Sequence, residues 1–196
     1  MNKLQLCNIA LSKIGSFSIK SLSEKSEEAK KCNTFLDHVI SASLEETNWP
    51  CSNKLVVLVL DANYVPFKYN YSYVYPDGAL CIRRITCEAE VPSAGPLEYI
   101  ITNNEYDELR IQTNVDSAYA EITLINSSVE NLPPTLIEAI SCRLAAELAV
   151  PIANNYNLRE HMMKMYNTYL PRARVVAANQ QRKAIAQNNK YRDVRS

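Results

Sequence analysis

Glycine and histidine are scarce in this chain of 196 residues, which contains three glycines and two histidines. Phosphate-binding loops and dinucleotide-binding turns need several closely spaced glycines, whereas Gly15, Gly78 and Gly95 lie far apart. A metal site built from His and Cys needs ligands at close spacing, and neither His38 nor His161 has such neighbours in the sequence. These absences argue against nucleotide-dependent enzymes of those classes, and we predict no cofactor and no metal ion.

Long apolar runs and paired cysteines are also missing. The longest apolar run, Leu55 to Leu60, is too short to span a bilayer, and the first residues show no signal peptide. The six cysteines form no Cys-x-x-Cys pair, and most lie in apolar surroundings, which is typical of free thiols in a reducing compartment. We therefore expect a soluble protein that is made in the cytoplasm and has no membrane partner.

Candidate catalytic residues are few. A cysteine or serine nucleophile could meet His38 or His161 across the fold, which would make the chain a small hydrolase. His38, however, lies beside an apolar helical face, and no motif supplies its partners. We rank this hypothesis low and predict that the protein is not an enzyme.

The first fifty residues have helical periodicity. Apolar residues recur at three- and four-residue steps from Leu4 to Ile14, and Gly15 is suited to end that helix. Ser21 and Glu24 have the spacing of a capping box. A second helix is therefore predicted from about Ser23 to Thr47, and we expect it to fold back on the first.

The middle of the chain has the periodicity of β-strands. The run 54–60 is rich in branched apolar residues and predicts a strand covered on both faces. Tyrosines alternate with other residues from 69 to 75, and turn residues follow at 76–78. Further strands are predicted at 79–88, 97–103, 108–114 and 119–126.

Helical periodicity returns after the strands. Pro134 fits the first turn of an alanine-rich helix, which Pro151 is expected to kink or end. A last helix begins near Tyr156, and Pro171 is expected to kink it or split it in two.

This order of elements predicts an α+β fold, with terminal helices forming a helical bundle, an inserted antiparallel β-rich domain and an extended C-terminal arm. The predicted regions are an N-terminal helical hairpin at 1–50, the β-rich middle at 51–130, the helices that complete the bundle at 131–178, and the basic arm at 179–196.

Charge is balanced overall but concentrated at the C-terminal end. From Arg159 onward nine Lys and Arg stand against two acidic residues, so this segment carries +7 and the remainder −7. Such an arm could be a solvated tail, a nucleic-acid-binding arm, or a helix completed by docking on a partner. Its candidate binding residues are Arg172, Arg174, Arg182, Lys183, Ile185, Lys190, Tyr191, Arg192 and Arg195.

The alternating tyrosines are candidate residues of a subunit or tail interface. Aromatic rings along one side of a strand could stack on bases, but Lys68 is the main basic residue beside them. A core or interface position explains them better, since tyrosine is favoured at interfaces. The residues concerned are Tyr69, Tyr71, Tyr73 and Tyr75.

Three stretches, taken in order, resemble one protein family. The first is LCNIALSKIGSFSIKSLSEKSEEAKKCNTFLDHVISASLEETNWP, with a short helix ending in Ile-Gly, a linker, a long helix and the lone tryptophan. The second is YNYSYVYPDGALCIRRI, and the third is LPPTLIEAISCRLAAELAVPIANNYNLREHMMKMYNTYLPRARVVAANQQ. Together they cover nearly the whole chain, which resembles tail tubular protein A, the head-to-tail adaptor family of short-tailed bacteriophages. Pro171 and Cys51 depart from the family's pattern.

The resemblance implies a structural virion protein at the junction of head and tail. Copies would assemble as a ring, commonly of twelve, that joins the portal protein to the tail nozzle protein and extends the DNA channel. DNA would pass through the lumen without sequence specificity during ejection, and the C-terminal segment would reach into the portal. The alternative is a nucleic-acid-binding module that uses the basic arm.

Overall fold

The computed structural model describes residues 1–62, 68–87, 97–125 and 129–180. These residues form helices and antiparallel sheets in separate parts of the chain, so the α+β fold class is confirmed. The helices are α1 (Lys3–Lys13), α2 (Glu27–Glu45), α3 (Pro134–Ala153) and α4 (Tyr156–Gln180).

The strands form two three-stranded antiparallel sheets that share one small core. Sheet A has the order β1-β6-β3, and sheet B has the order β2-β5-β4. The residues after β1 connect the sheets, because Leu60 bridges Tyr73 of β2 and the Asp61 N–H donates to the Ser72 carbonyl oxygen at 2.8 Å. The strands are β1 (Asn53–Val57), β2 (Tyr71–Val74), β3 (Ala79–Thr86), β4 (Tyr99–Asn103), β5 (Leu109–Thr113) and β6 (Tyr119–Leu124).

β1 is an edge strand with one face exposed, so the prediction that both its faces are covered is wrong. It pairs with β6, and its side chains alternate between the core and the surface. Val56 packs against the core between the sheets, whereas Leu55 and Val57 are 57% and 66% exposed. A continuous apolar run is therefore ambiguous, because it arises both in buried strands and in edge strands that leave an apolar face free.

α3 is the centre of the helical half. Eleven of its 20 residues are buried, too many for one narrow face, and the other helices pack mainly on it. Small residues such as Ala139, Ala145 and Ala149 are fully buried and let the neighbouring backbones approach closely. α2 folds back along α1, because Lys3 at the start of α1 pairs with Asp37 of α2 at 2.6 Å and Ser16 after α1 donates to Glu28 at the start of α2 at 3.4 Å. Both helices pack mainly on α3.

α2 begins later than predicted. Its N-cap is Ser26, whose hydroxyl accepts from the Ala29 N–H at 3.3 Å. Glu24 instead accepts from the Lys20 N–H at 2.9 Å and so stabilises a turn ahead of the helix. Ser21 was an equally good cap by spacing, but two glutamates follow Ser26 directly and suit the positive end of the helix dipole.

Neither proline inside the C-terminal helices ends its helix. α3 continues past Pro151, and α4 continues past Pro171 to Gln180, so the predicted end and split do not occur. Packing on both sides of Pro171 explains this, because Leu170 and Ala173 are 5% and 0% exposed in the helical core. Burial of the flanking side chains offsets the hydrogen bond that the ring removes.

Arg83 of β3 joins the sheets to the helices. Its guanidinium donates to the carbonyl oxygens of Leu44, Glu45 and Thr47 at 2.7, 3.1 and 2.9 Å, where α2 ends. Its Nε donates to Thr123 Oγ1 of β6 at 2.8 Å. Since α2 has no basic residue in its last turn, Arg83 supplies both the donors and the positive charge that a helix C-terminus lacks.

A polar network continues from Arg83 along this end of sheet A. Thr123 Oγ1 donates to Asn53 Oδ1 at 3.0 Å, and Asn53 Nδ2 donates to Glu121 Oε1 at 2.8 Å. Arg84 Nε donates to the other oxygen of Glu121 at 2.6 Å. The end of the sheet that meets α2 is therefore polar and hydrogen-bonded, and this fixes how the two halves meet.

Replacing Pro171 with alanine should stabilise the protein, because alanine restores a backbone N–H and removes the ring from the helix interior. We expect the free energy of unfolding to rise by about 1–3 kcal/mol, measured by urea unfolding. The matched control is Pro134→Ala, since Pro134 is also exposed but occupies the first turn of α3, where proline is favourable. A Pro171→Ala variant no more stable than the wild type contradicts this prediction.

Replacing Arg83 with methionine should lower the free energy of unfolding by about 2–3 kcal/mol, since several carbonyl oxygens lose a charged donor. Arg84→Met is the matched control on the next residue. It removes a surface ion pair whose arginine side chain is 51% exposed, and we expect a loss below about 1 kcal/mol. Equal losses in the two variants would show that the contact between α2 and sheet A does not depend on Arg83.

Candidate functional site

Within the described parts of the chain, no group of three or more His, Cys, Asp or Glu is placed to hold a metal ion. His38 and His161 both lie exposed on helices, and Cys7, Cys32 and Cys142 are buried free thiols. The candidate sites are therefore surfaces through which the chain could contact a partner.

Glu46, at the end of α2, ties α2 to α3 and α4. Its Oε1 accepts from Arg143 Nη1 and from the Tyr166 hydroxyl, each at 2.7 Å. Its Oε2 accepts from Arg174 Nη2 at 3.4 Å. The Arg143 guanidinium also lies over the Tyr166 ring, 5.2 Å from its centre. Sequence reasoning missed this cluster because the partners of Glu46 lie 97 to 128 residues away in the chain.

Two of the predicted arm residues make contacts inside the chain. Arg174 forms the ion pair with Glu46 described above. Arg172 lies over the ring of Tyr169, 5.8 Å from its centre. Both lie on α4 before Gln180. Arg174 ties α4 to the end of α2, whereas the contact of Arg172 lies within α4, and both side chains are exposed.

The other predicted arm residues lie outside the described residues, but the point from which the arm leaves is defined. Ala173 and Ala177 of α4 are 0% and 3% exposed in the helical core. The chain is therefore fixed almost to Asn179, where the predicted arm begins. The residues outside the described ranges are Arg182, Lys183, Ile185, Lys190, Tyr191, Arg192 and Arg195.

The four candidate tyrosines lie largely inside the chain. Tyr73 is 2% exposed, and its hydroxyl donates to the Val115 carbonyl oxygen at 2.8 Å. Tyr69 is 8% exposed, whereas Tyr71 and Tyr75 are half-buried against the core between the sheets. The sequence allowed either a core or an interface position for these tyrosines. Tyr69 and Tyr73 are buried inside the chain, so of the four only Tyr71 and Tyr75 have exposed surface that a partner could contact.

Exposed branched residues form a stripe along the outside of the sheets, which we call the outer stripe. Leu55, Val57 and Val59 are 57%, 66% and 67% exposed, while the residues between them point towards the core. The Val74 N–H donates to the Val59 carbonyl oxygen at 2.8 Å, and Val74 is 37% exposed. Val74 therefore extends the outer stripe from sheet A onto sheet B.

A second exposed apolar site lies at the β4–β5 hairpin, which is the turn 104–108 with the ends of its two strands. Tyr106 is 75% exposed and Leu109 is 45% exposed. Asn104 holds the turn, because its Oδ1 accepts from the N–H groups of Tyr106 and Glu108, each at 2.9 Å. The hairpin therefore presents its aromatic ring on a hydrogen-bonded turn.

Comparisons with known proteins assign no family to this chain. The sequence matches no protein-family model, and no curated protein is similar enough to count as a relative. Among the described residues, none of the helices is both long enough and apolar enough to cross a membrane.

Stability should fall at alkaline pH through the Glu46 cluster. Burial, together with the hydrogen bond to Glu46, raises the pKa of the Tyr166 hydroxyl. A raised pKa in the folded state stabilises the protein fully below the unfolded value of about 10, and that contribution is lost as pH rises through the folded pKa. We expect Tyr166→Phe to lose less stability than the wild type as pH rises from about 10 to 11.5, measured by urea unfolding.

Tyr106→Phe is the control for this comparison, because it removes one hydroxyl from an exposed ring that lies outside the cluster. If Tyr166→Phe and the wild type lose the same free energy of unfolding over this pH range, Tyr166 does not carry the effect.

Proposed function

We propose that this chain is a structural virion protein, a head-to-tail adaptor that forms a ring between the portal and the tail nozzle and extends the DNA channel. One observation carries the proposal: α4 is anchored in the helical core as far as Ala177 and leads directly into a strongly basic segment. A basic segment that leaves from a fixed point is suited to docking on a partner.

The family resemblance supports this function. Its three stretches correspond to structural units, namely α1 and α2 with Trp49, the pair β2 and β3 with their turn, and α3 with α4. Trp49 is fully buried, and its Nε1 donates to the Ser43 carbonyl oxygen at 3.1 Å. The resemblance thus includes residues on which packing depends, as expected if the fold is shared with the family.

The helical half suits the role of a base for the arm. In this proposal the terminal helices act as one bundle that faces the portal. α4 has 25 residues and α3 has 20, so α4 would reach about 7.5 Å beyond α3 at a rise of 1.5 Å per residue. Glu46 holds this end of α4 through Arg174, at 3.4 Å.

Docking of the arm explains why the C-terminal residues have no apolar face of their own. A single arm binds weakly, because ordering it on the portal costs conformational entropy. A ring docks many arms at once, and this multivalency makes the attachment of the ring to the portal strong. The basic arm and the acidic remainder of the chain favour head-to-tail association through electrostatic steering.

The same basic segment favours a second candidate function, a nucleic-acid-binding module. That function predicts affinity for duplex DNA that falls steeply with salt, because each phosphate contact releases counterions. An adaptor monomer, by contrast, should bind DNA weakly, since the wall of a channel must let DNA slide.

Deleting residues 179–196 should leave a folded protein that no longer joins portal rings. The measurement is binding to purified portal rings from the same source, by sedimentation and electron microscopy of the mixtures. Unfolding by urea serves as the control for folding, since the buried positions of α4 up to Ala177 are retained.

A second variant separates charge from length. Replacing Arg182, Lys183, Lys190, Arg192 and Arg195 by glutamine keeps the arm but removes its positive charges, and it should slow attachment to the portal more than it weakens the completed complex. Attachment of the truncated chain with wild-type affinity contradicts the adaptor proposal. Salt-dependent binding of the full chain to duplex DNA, with no binding to portal rings, would support the second candidate.

A further inference from the structure

Two buried cysteines meet where α1 packs against α2, and we propose that Cys7 and Cys32 form a disulfide bond when the chain meets an oxidising environment. The inference goes beyond the proposed function and does not depend on it, because it concerns the helical core and not the arm. It assigns a redox-sensitive site to the helical half, and the oxidant is a low-molecular-weight disulfide such as glutathione disulfide.

Contacts on either side of the two cysteines fix how α1 and α2 run past each other. Lys3 of α1 pairs with Asp37 of α2 at 2.6 Å, and the Ser16 hydroxyl, after α1, donates to Glu28 at 3.4 Å. The two helices are therefore antiparallel. Since the first cysteine lies about one turn after Lys3 and the second about one turn after Glu28, both lie between these two contacts.

The residue that follows each cysteine holds the segment between the two helices. Asn8 Oδ1 accepts from the Ile19 N–H at 2.8 Å, and Asn8 Nδ2 donates to the Ile19 carbonyl oxygen at 3.0 Å. Asn33 Nδ2 donates to the Leu22 carbonyl oxygen at 2.6 Å. The loop that a disulfide would close is therefore already hydrogen-bonded beside both of its ends.

The two thiols lie against each other inside the helical core. Cys7 and Cys32 are free thiols, each is 0% exposed, and both belong to the same hydrophobic cluster. The hydrogen bond between their side chains lowers the pKa of Cys32 and, together with burial, raises the pKa of Cys7. Cys32 is therefore the thiol that ionises first and the one that attacks an oxidant.

Oxidation proceeds by two thiol–disulfide exchanges. The Cys32 thiolate attacks one sulfur of glutathione disulfide, so a mixed disulfide forms and a glutathione thiolate leaves. Cys7 then loses its proton and attacks the Cys32 Sγ, so the protein disulfide forms and the second glutathione thiolate leaves. The two protons from the cysteines end on the two glutathione thiolates. Two cysteine thiols are thereby oxidised, and one glutathione disulfide is reduced.

Burial makes this exchange depend on local opening of α1. With 11 residues, α1 is shorter than the other described α-helices, and it contributes four buried side chains to the core. Elements with few buried contacts open without unfolding of the whole protein. In a reducing compartment glutathione keeps both thiols free, whereas under oxidising conditions the bond would link α1 to α2 and restrict the unfolded chain.

The first test treats the full-length wild type with glutathione disulfide and maps its cysteines by mass spectrometry. Trypsin together with a glutamate-specific protease places the six cysteines on separate peptides. We expect linked peptides that carry Cys7 and Cys32 and that separate on reduction. A non-reducing gel should show a single chain, because the bond lies within one molecule.

Thermal stability is the second measurement, with each protein compared with its own reduced form by circular dichroism. Oxidation should raise the melting temperature of the wild type by about 5–10 °C. Cys7→Ala should show no such rise. Cys142→Ala is the matched control, because Cys142 is 1% exposed in the same core but belongs to α3. This control should keep both the linked peptides and the rise.

Two results would overturn the inference. One is a treated wild type without linked Cys7 and Cys32 peptides, whether its cysteines stay reduced, carry glutathione or pair differently. The other is an equal rise in melting temperature for the wild type and Cys7→Ala. The peptide map uses the wild type, so it decides even where a variant fails to fold. Neither measurement involves portal rings, so this inference and the adaptor proposal can fail separately.

Discussion

The carbonyl oxygens at the C-terminal end of α2 need donors that their own helix does not supply, and Arg83 supplies them from a strand. This constraint decides how the two halves of the chain meet. Because the guanidinium reaches the carbonyl oxygens of Leu44, Glu45 and Thr47 while its Nε donates to Thr123, α2 and sheet A are held in one orientation. Leu80 of β3 packs against the helical core as well, so apolar contact accompanies these hydrogen bonds.

The contact between α2 and sheet A also explains why the outer face of sheet A is polar near α2 and apolar farther along β1. Beside α2 the face is polar, and Asn53 and Thr123 hydrogen-bond to each other there. Farther along β1, Leu55 and Val57 are exposed. Polar side chains therefore lie where the described residues satisfy their hydrogen bonds, and the exposed apolar side chains follow them along the strand.

The helical half and the sheets have separate hydrophobic cores. The helices share one core with Trp49, and Glu46 adds a polar tie that holds α4 against α3. The sheets enclose a smaller core that contains Tyr73 and Ile111. In the function proposed above, the helical half carries the arm towards the portal.

The sequence by itself determined the elements whose signals are local. Period and turn chemistry predicted the strands near 79–86 and 119–124, the first turn of α3 at Pro134, and the end of α1 at Gly15, whose φ of +73° suits glycine. Tertiary structure alone decided the exposure of β1, the passage of α4 through Pro171, and the partners of Arg83 and Glu46. The physical reason is distance along the chain: periodicity shows that a face is apolar, but what covers that face, and which carbonyl or carboxylate a charge will meet, depends on residues far away in the sequence.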